Sequence, residues 1–504
     1  MNFRIKPLDE ILQTAEKKSL HRSLGGFQLM MMGVGAIIGT GIFVLTSEAA
    51  QKAGPGMLVS FIIAGFVCAV AALCYAELAA MVPVSGSAYT YSYAVLGEVI
   101  AWVVGWALIL EYAVAASAVS VGWSNYCVGL LERTFGWDIP DALTRGPHVG
   151  GIMNVPAAFI ALAVTALLVI GTRESATVNA VLVSIKVAAL TVFIALTITI
   201  INADNFEPFM PNGFLGPEGS SFGAGMGVMG AAASIFFAYV GFDAVSTAAE
   251  ETKNPQRNVP IGLIGSLAIC TIFYLLVASG VIGSVGAQPV ADPATGLAYE
   301  PGTAALAAAC ENPANADKLG CTGEPLAHVL DLIGWKKISQ LIGLAAFLAL
   351  PSVILMMLFG QTRIFFVMAR DKLLPFNEFL SQVHPKFHTP HVVTIITGLA
   401  VTVFAAFFPV GVLADISNSG TLFAFLAVAV GVMALRVRSP ERKRPFHTPA
   451  IWVIGPLALA GCGFLFFSLP LRTQLWFALW TAIGLAVYMM YGYRHSPLRG
   501  SGGS

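Results

Sequence analysis

The sequence predicts an all-α polytopic membrane protein with twelve transmembrane helices, and three observations carry that prediction. Of 504 residues only 27 are Lys or Arg and 27 Asp or Glu, a charged fraction of 11%, about half that of an average soluble protein. Hydrophobic residues make up 57% and mean hydropathy is +0.79, so polar surface is too scarce to clothe a water-facing globule. The apolar residues also gather into runs of roughly 20, the number that crosses ~30 Å of hydrocarbon at ~1.5 Å per residue. Alternating barrel strands are absent. Length alone would suggest about three soluble domains, and hydropathy overrides it. With zero net charge and a pI of about 7.1, no basic field invites nucleic acid. A soluble enzyme, a nucleic-acid binder and a disordered chain are excluded.

The runs lie near 27–50, 57–81, 99–130, 152–171, 177–201, 223–249, 259–284, 337–369, 391–409, 411–436, 449–469 and 473–493. They divide the chain into a polar cytoplasmic segment (1–26), five spans (27–201), five more (202–436), two further spans (437–495) and a tail (496–504). The segment 1–26 reads as amphipathic and not as a cleavable signal. The Gly-Ser tail reads as a flexible end or a cloning scar. A long loop, 285–336, interrupts the second group on the outer face. With the N-terminus inside, inner segments hold 19 of the 27 basic residues and outer segments 7. An even number of spans then puts both termini in the cytoplasm of a cell-membrane protein. The twenty-seventh, Lys186, falls inside a span.

Cys68, Cys74, Cys127, Cys270 and Cys462 fall within spans and read as apolar packing residues. Cys310 and Cys321 share the outer loop in an oxidising compartment, which suits a disulfide, with two free thiols as the alternative. His384, His388 and His391 cluster without carboxylate or thiol partners, so neither a metal nor a cofactor is expected.

Two spans carry breaks. Gly33, Gly35, Gly39 and Gly41 fall within nine residues of the first span, each costing a helix ~1 kcal/mol relative to Ala. Close packing through Gly35 and Gly39 is one reading. The other is a helix that unwinds at mid-membrane, where exposed backbone is tolerated only beside a cavity or a ligand. The sixth span has a counterpart, with Phe236, Phe237, Ala238 and Tyr239 ahead of Gly241 and Asp243. Spans one and six head two five-span halves, and breaks at matching positions point to a transporter site. N–H groups at Gly39, Thr40 and Gly41 would hold a carboxylate. Carbonyls near Ile37, Phe237 and Ala238 would take an α-ammonium, under a lid of Phe237 and Tyr239.

Ionisable residues inside a membrane are functional candidates by default. Lys186 is flanked by apolar helix on both sides. Desolvation disfavours its charged form, which suits a group that loads and releases a proton; snorkelling to the cytoplasmic edge is the alternative. Glu111 shares a helical face with Ala115, Ala118 and Gly122, so it is expected to point inward, to the cavity or to Lys186. It is a candidate for substrate contact and for proton coupling, beside a purely structural hydrogen bond. Glu77, Glu250 and Glu251 lie at cytoplasmic helix ends, where gating competes with solvation.

The run Gly35-Ala36-Ile37-Ile38-Gly39-Thr40-Gly41-Ile42-Phe43 resembles the first-span signature of the amino acid–polyamine–organocation superfamily. Tyr75-Ala76-Glu77-Leu78, and Pro83 to Tyr89, resemble its second-span and re-entrant-loop motif. Phe236 to Asp243, Glu250 to Pro255, and Gly360 to Pro375 resemble its cationic amino acid transporter branch. The likeness covers about residues 20–495. It implies a LeuT-like five-plus-five inverted repeat with two added helices, helices 1 and 6 discontinuous, and alternating access by a rocking bundle. It also implies that Lys186 stands where a second sodium site would lie. Ile37, Thr40, Gly41, Phe237 and Ala238 match backbone-binding positions, and Ile38, Phe236 and Gly241 beside them are further substrate-site candidates. Leu350 matches the position bounding the side-chain pocket. A bulky Leu followed by Pro351 departs from the small residues of animal members and favours a small neutral amino acid such as alanine over arginine.

The expected function is a proton-coupled, sodium-independent permease for small neutral (alanine-like) and/or cationic L-amino acids, acting as a monomer among membrane lipids, with protons and amino acids as partners. Exchange or facilitation without protons is the alternative. An enzyme would need a nucleophile–base pair or metal cluster within the spans, and none is visible.

Overall fold

The computed structural model describes residues 24–82, 87–171, 176–217, 224–247 and 252–499. The loop 83–86, Glu250, Glu251, the segment before residue 24 and the tail after 499 lie outside the described residues. Within them the regular structure is helical, apart from two isolated bridges, Leu24 with Thr252 and Ala291 with Ala298. Eight helical stretches are long and apolar enough to cross a membrane, and four shorter apolar helices join them.

We label only these apolar helices. They are α1 (Gly26–Ile37), α2 (Met57–Met81), α3 (Glu98–Phe135), α4 (Val155–Ile170), α5 (Ala176–Thr197) and α6 (Gly227–Ile235). The rest are α7 (Pro255–Val285), α8 (Lys336–Arg370), α9 (His391–Phe407), α10 (Val410–Arg438), α11 (Ile451–Ser468) and α12 (Leu471–Val487). Two of the short ones are short because the chain stops being helical. α1 ends at Ile38 (φ −70°, ψ 98°) and Gly39 (φ −152°, ψ −146°), then resumes as Thr40–Phe43 and Leu45–Ala53. α6 tightens into a 3₁₀ turn over Phe236–Tyr239 and leaves helical geometry at Val240 (ψ 138°).

α3, 38 residues long, runs against α8, α9 and α10, while α7 lies along α1 and α2. α12 docks on α3 through indoles: Trp106 and Trp480 stack at 4.6 Å, each donating its Nε1–H to the other's carbonyl at 2.9 Å. The outer surface shows large apolar side chains such as Phe159, Ile272, Leu341 and Trp452, as helices facing lipid do. The sulfurs of Cys310 and Cys321 are bonded. Their loop is held to the end of the first span by Gln51, whose amide donates to the carbonyls of Val290 (2.8 Å) and Tyr299 (3.0 Å) and accepts from Val290 N–H. In the same loop, burial pushes the Glu324 carboxyl up to about 7 against the pull of Arg133.

Lys52, one of the seven basic residues assigned to outer segments, is 4% exposed, 3.2 Å from Asp415 of α10 and 2.5 Å from Ser234 of α6. Ser234 in turn donates to Asp415. The continuation of α1 carries the lysine into the bundle, where a carboxylate from another helix offsets its desolvation. Glu77 is likewise not solvated: Arg436 of α10 grips both its oxygens at 2.9 Å and Thr448 N–H donates to it at 2.8 Å.

Candidate functional site

The two breaks lie against each other. A Cβ built on Gly41 would stand 2.2 Å from Ala238 Cα, and one on Gly241 would stand 3.0 Å from Ala36 O. Gly241 also has φ +114°, a region that side chains avoid. So the helical turn at Gly41 meets the 3₁₀ turn at Ala238, and Gly241 meets the end of α1, in van der Waals contact that only glycine permits at these two points. The crossing is buried: Ile37 is 2% exposed, Thr40 1% and Phe237 5%, and Ile38, Phe236, Ala238, Tyr239 and Leu350 are at 0%.

Three neighbouring helices position the first break. Lys186 of α5 donates to Gly35 O at 2.8 Å, and a Cβ on Gly35 would strike Val183 of the same helix at 2.4 Å. From α3, Tyr126 donates to Phe43 O at 2.7 Å, and a Cβ on Gly122 would strike Thr40 at 2.6 Å. From α8, Val353 stands 3.4 Å from where a Gly39 Cβ would be. Lys186, 1% exposed, therefore does not snorkel; its ammonium caps the carbonyl end of α1.

The residue that ties the breaks together is Tyr274 of α7. Its hydroxyl is 2.9 Å from both Ile37 O and Ala238 O. A phenol has one proton, so it serves one carbonyl at a time and the other stays open to a further donor. These carbonyls lie at the two breaks, where the sequence nominates acceptors for an ammonium. On the other side, the N–H groups of Gly39, Thr40 and Gly41 bond to no backbone carbonyl outside their own turn among the described residues. Such N–H groups lack helical partners because they open a helix. Thr40 Oγ1 is buried and also without a hydrogen-bond partner there. The site thus presents donors from one break and acceptors from both, spaced along one short stretch of backbone.

Other nominated residues face elsewhere. Tyr239 donates to Phe61 O of α2 at 3.0 Å and packs its ring 5.4 Å from that of Tyr274. Phe236 packs edge-on to Phe425 of α10 at 5.9 Å. Glu111, 1% exposed, faces α10: its carbonyl accepts from Ser417 at 3.2 Å, and a Cβ on Gly420 would stand 3.0 Å from its own Cβ. Its Oε2 is buried without a hydrogen-bond partner among the described residues. Next to it, Tyr112 donates to Asp243 at 2.5 Å. Leu350 sits one residue before the in-helix Pro351 of α8.

Sequence reasoning missed Tyr274 and Val353. Tyr274 is the one hydroxyl in the apolar stretch Ile272-Phe273-Tyr274-Leu275-Leu276; that oddity was its only signal. Val353 offers none, being one more apolar residue in an apolar helix.

Known proteins similar to this chain give its family. A family model described as amino acid permease matches residues 24–491. The chain is 42% identical to the branched-chain amino acid permease BcaP of Bacillus subtilis (strain 168), over 98% of each chain. It is 40% identical to the methylthioribose transporter of the same organism, over 98% of this chain and 99% of that one. With the vacuolar cationic amino acid transporter 4 of Arabidopsis thaliana it shares 36% identity, over 84% of this chain and 64% of that one.

Proposed function

The chain belongs to the amino acid permease family, and from that premise we propose that it moves a neutral aliphatic L-amino acid across the cell membrane by alternating access. The observation that carries this reading is the crossing at Gly41 and Ala238. A zwitterion needs donors for its carboxylate and acceptors for its ammonium. The N–H groups of Gly39, Thr40 and Gly41 supply the first, and the shared carbonyls of Ile37 and Ala238 the second. No charged side chain is required at either end.

Around Gly39 the wall is aliphatic, with Val353 in contact and Leu350 buried on the same helix. That wall favours an aliphatic substrate side chain over a guanidinium, whose burial without a partner is costly. The similarity to a branched-chain permease agrees with it better than the similarity to a plant cationic transporter.

In this reading all twelve apolar helices span the membrane as a five-plus-five inverted repeat with α11 and α12 added, and both termini are cytoplasmic. Lys186 takes the place of a sodium ion at the carbonyl end of α1, so transport is proton-coupled and sodium-independent. A single chain holds the whole site.

The test is uptake by proteoliposomes under an acid-outside pH gradient, against a panel of competing amino acids. Uptake of alanine, valine or leucine is expected to rise with the gradient and to persist without sodium, with arginine and lysine competing weakly. A requirement for sodium, or arginine as the strongest competitor, would overturn the reading.

A further inference from the structure

A cavity of about 610 Å³ opens between the start of α7 and the segment leading into α11. Its polar end carries Gln256 and Arg257, and its apolar wall is Ile261, Ile264 and Phe446. Beside the cavity, α2 lies as a floor between α7 and α11, which both pack on it. α7 and α11 flank α2 on opposite sides: a Cβ on Gly65 would stand 3.3 Å from Thr271 of α7, and one on Gly461 of α11 would stand 2.9 Å from Val67. Between those two contacts Phe66 is 53% exposed, as is Ile62 one turn earlier. With Leu58, Ala69 and Leu73, which are part-exposed, they form one stripe at helical spacing along the floor. From Ile62 to Leu73 the floor is about 16 Å long.

The mouth lies on the face where the chain is most basic. Arg257, Lys253 and Lys443 are exposed there, close in sequence to the cavity walls, and the segment 436–444 holds five basic residues against one acid. Glu77, the buried acid nearby, is already taken by Arg436 and Arg444. A guanidinium at the headgroup level above an apolar groove between helices matches an amphiphile with an anionic head and an acyl chain. A zwitterionic lipid would bring its own cation to this basic mouth, and a soluble anion would leave the groove unfilled.

We propose that this cavity and groove bind one anionic phospholipid of the adjoining leaflet, with its phosphate on Arg257 and an acyl chain over Phe66 between α7 and α11. Because α7 also carries Tyr274, the bound lipid braces the helix that holds the two breaks together.

Native mass spectrometry of the detergent-purified chain tests this, with phosphatidylglycerol, phosphatidylcholine or glycerol phosphate added. The expected result is retention of one phosphatidylglycerol in preference to phosphatidylcholine. Arg257→Gln should lower that retention about fivefold, and Phe66→Trp, which fills the groove, should lower it as well. Arg472→Gln, on the opposite face, should leave it unchanged. Equal retention by the parent chain and both groove variants would overturn the proposal. So would equal retention of the two lipids, or displacement of the lipid by glycerol phosphate.

Discussion

Gly41→Ala is expected to lower amino acid uptake about a hundredfold in a protein that still inserts and purifies as a folded chain. The added methyl would stand 2.2 Å from Ala238 Cα and 2.5 Å from Ala238 Cβ, where carbon atoms settle at about 3.5–4.0 Å. The neighbour is backbone, so no side chain can swing aside, and the two breaks must part by more than 1 Å. Overpacking of this kind costs about 1–3 kcal/mol, which a large bundle survives. The site does not, since a displacement of about 1 Å between binding groups costs on the order of a hundredfold in rate. Gly39→Ala is the internal control. Its methyl meets only Val353 side-chain atoms, at 3.4 Å, and keeps the N–H, so uptake should fall by less than about fivefold. Initial-rate uptake in proteoliposomes reads both, and equal effects of the two substitutions would contradict the crossing as the site.

Lys186→Ala is expected to abolish accumulation driven by a pH gradient while substrate binding stays within about threefold of the parent. The ammonium donates to Gly35 O at 2.8 Å from a position 1% exposed. A charged donor in such a place is worth about 1.5–3 kcal/mol, or roughly one to two orders of magnitude in an equilibrium. That bond joins α5 to the last turn of α1, two residues before the carbonyl that Tyr274 contacts. Making or releasing it with a proton biases where α1 sits relative to α5, which is what a coupled transporter needs. Gradient-driven accumulation and substrate-induced thermal stabilisation separate the two quantities. Accumulation unchanged by the substitution would remove Lys186 from coupling.

Much of this arrangement was legible before any coordinates. Four glycines in nine residues, and Gly241 with Asp243 in another apolar run, announced breaks because their helix penalty is local and needs no knowledge of neighbours. Lys186 stood out for the same reason: a lone charge in an apolar run is conspicuous by composition. The partners of these groups were not legible. Nothing near Lys186 in sequence names Gly35, 151 residues away, and nothing near Lys52 names Asp415, 363 residues away. Asp415 lies in an apolar run as Glu111 does, but only four residues from the start of the predicted span at 411, where an acid is not conspicuous. The direction of Glu111 also needed the fold, since a stripe of Ala and Gly marks a packed face without saying which helix fills it. Its Glu111 end meets α10, and its Gly122 end meets Thr40 at the first break. Tyr239, read as a lid, turns its hydroxyl to α2, whereas Tyr274 from α7 reaches both breaks.

The central claim is that the backbone of the two breaks grips both ends of a zwitterion. Competition of uptake by a parent amino acid, its methyl ester (no carboxylate charge) and its deaminated carboxylic acid (no ammonium), all with one side chain, tests this most directly. Each modified compound loses one charged end and the charge-assisted hydrogen bonds to it, so each should compete at least about tenfold more weakly than the parent. If either the ester or the deaminated acid competes as well as the parent, the crossing at Gly41 and Ala238 does not hold the substrate as described.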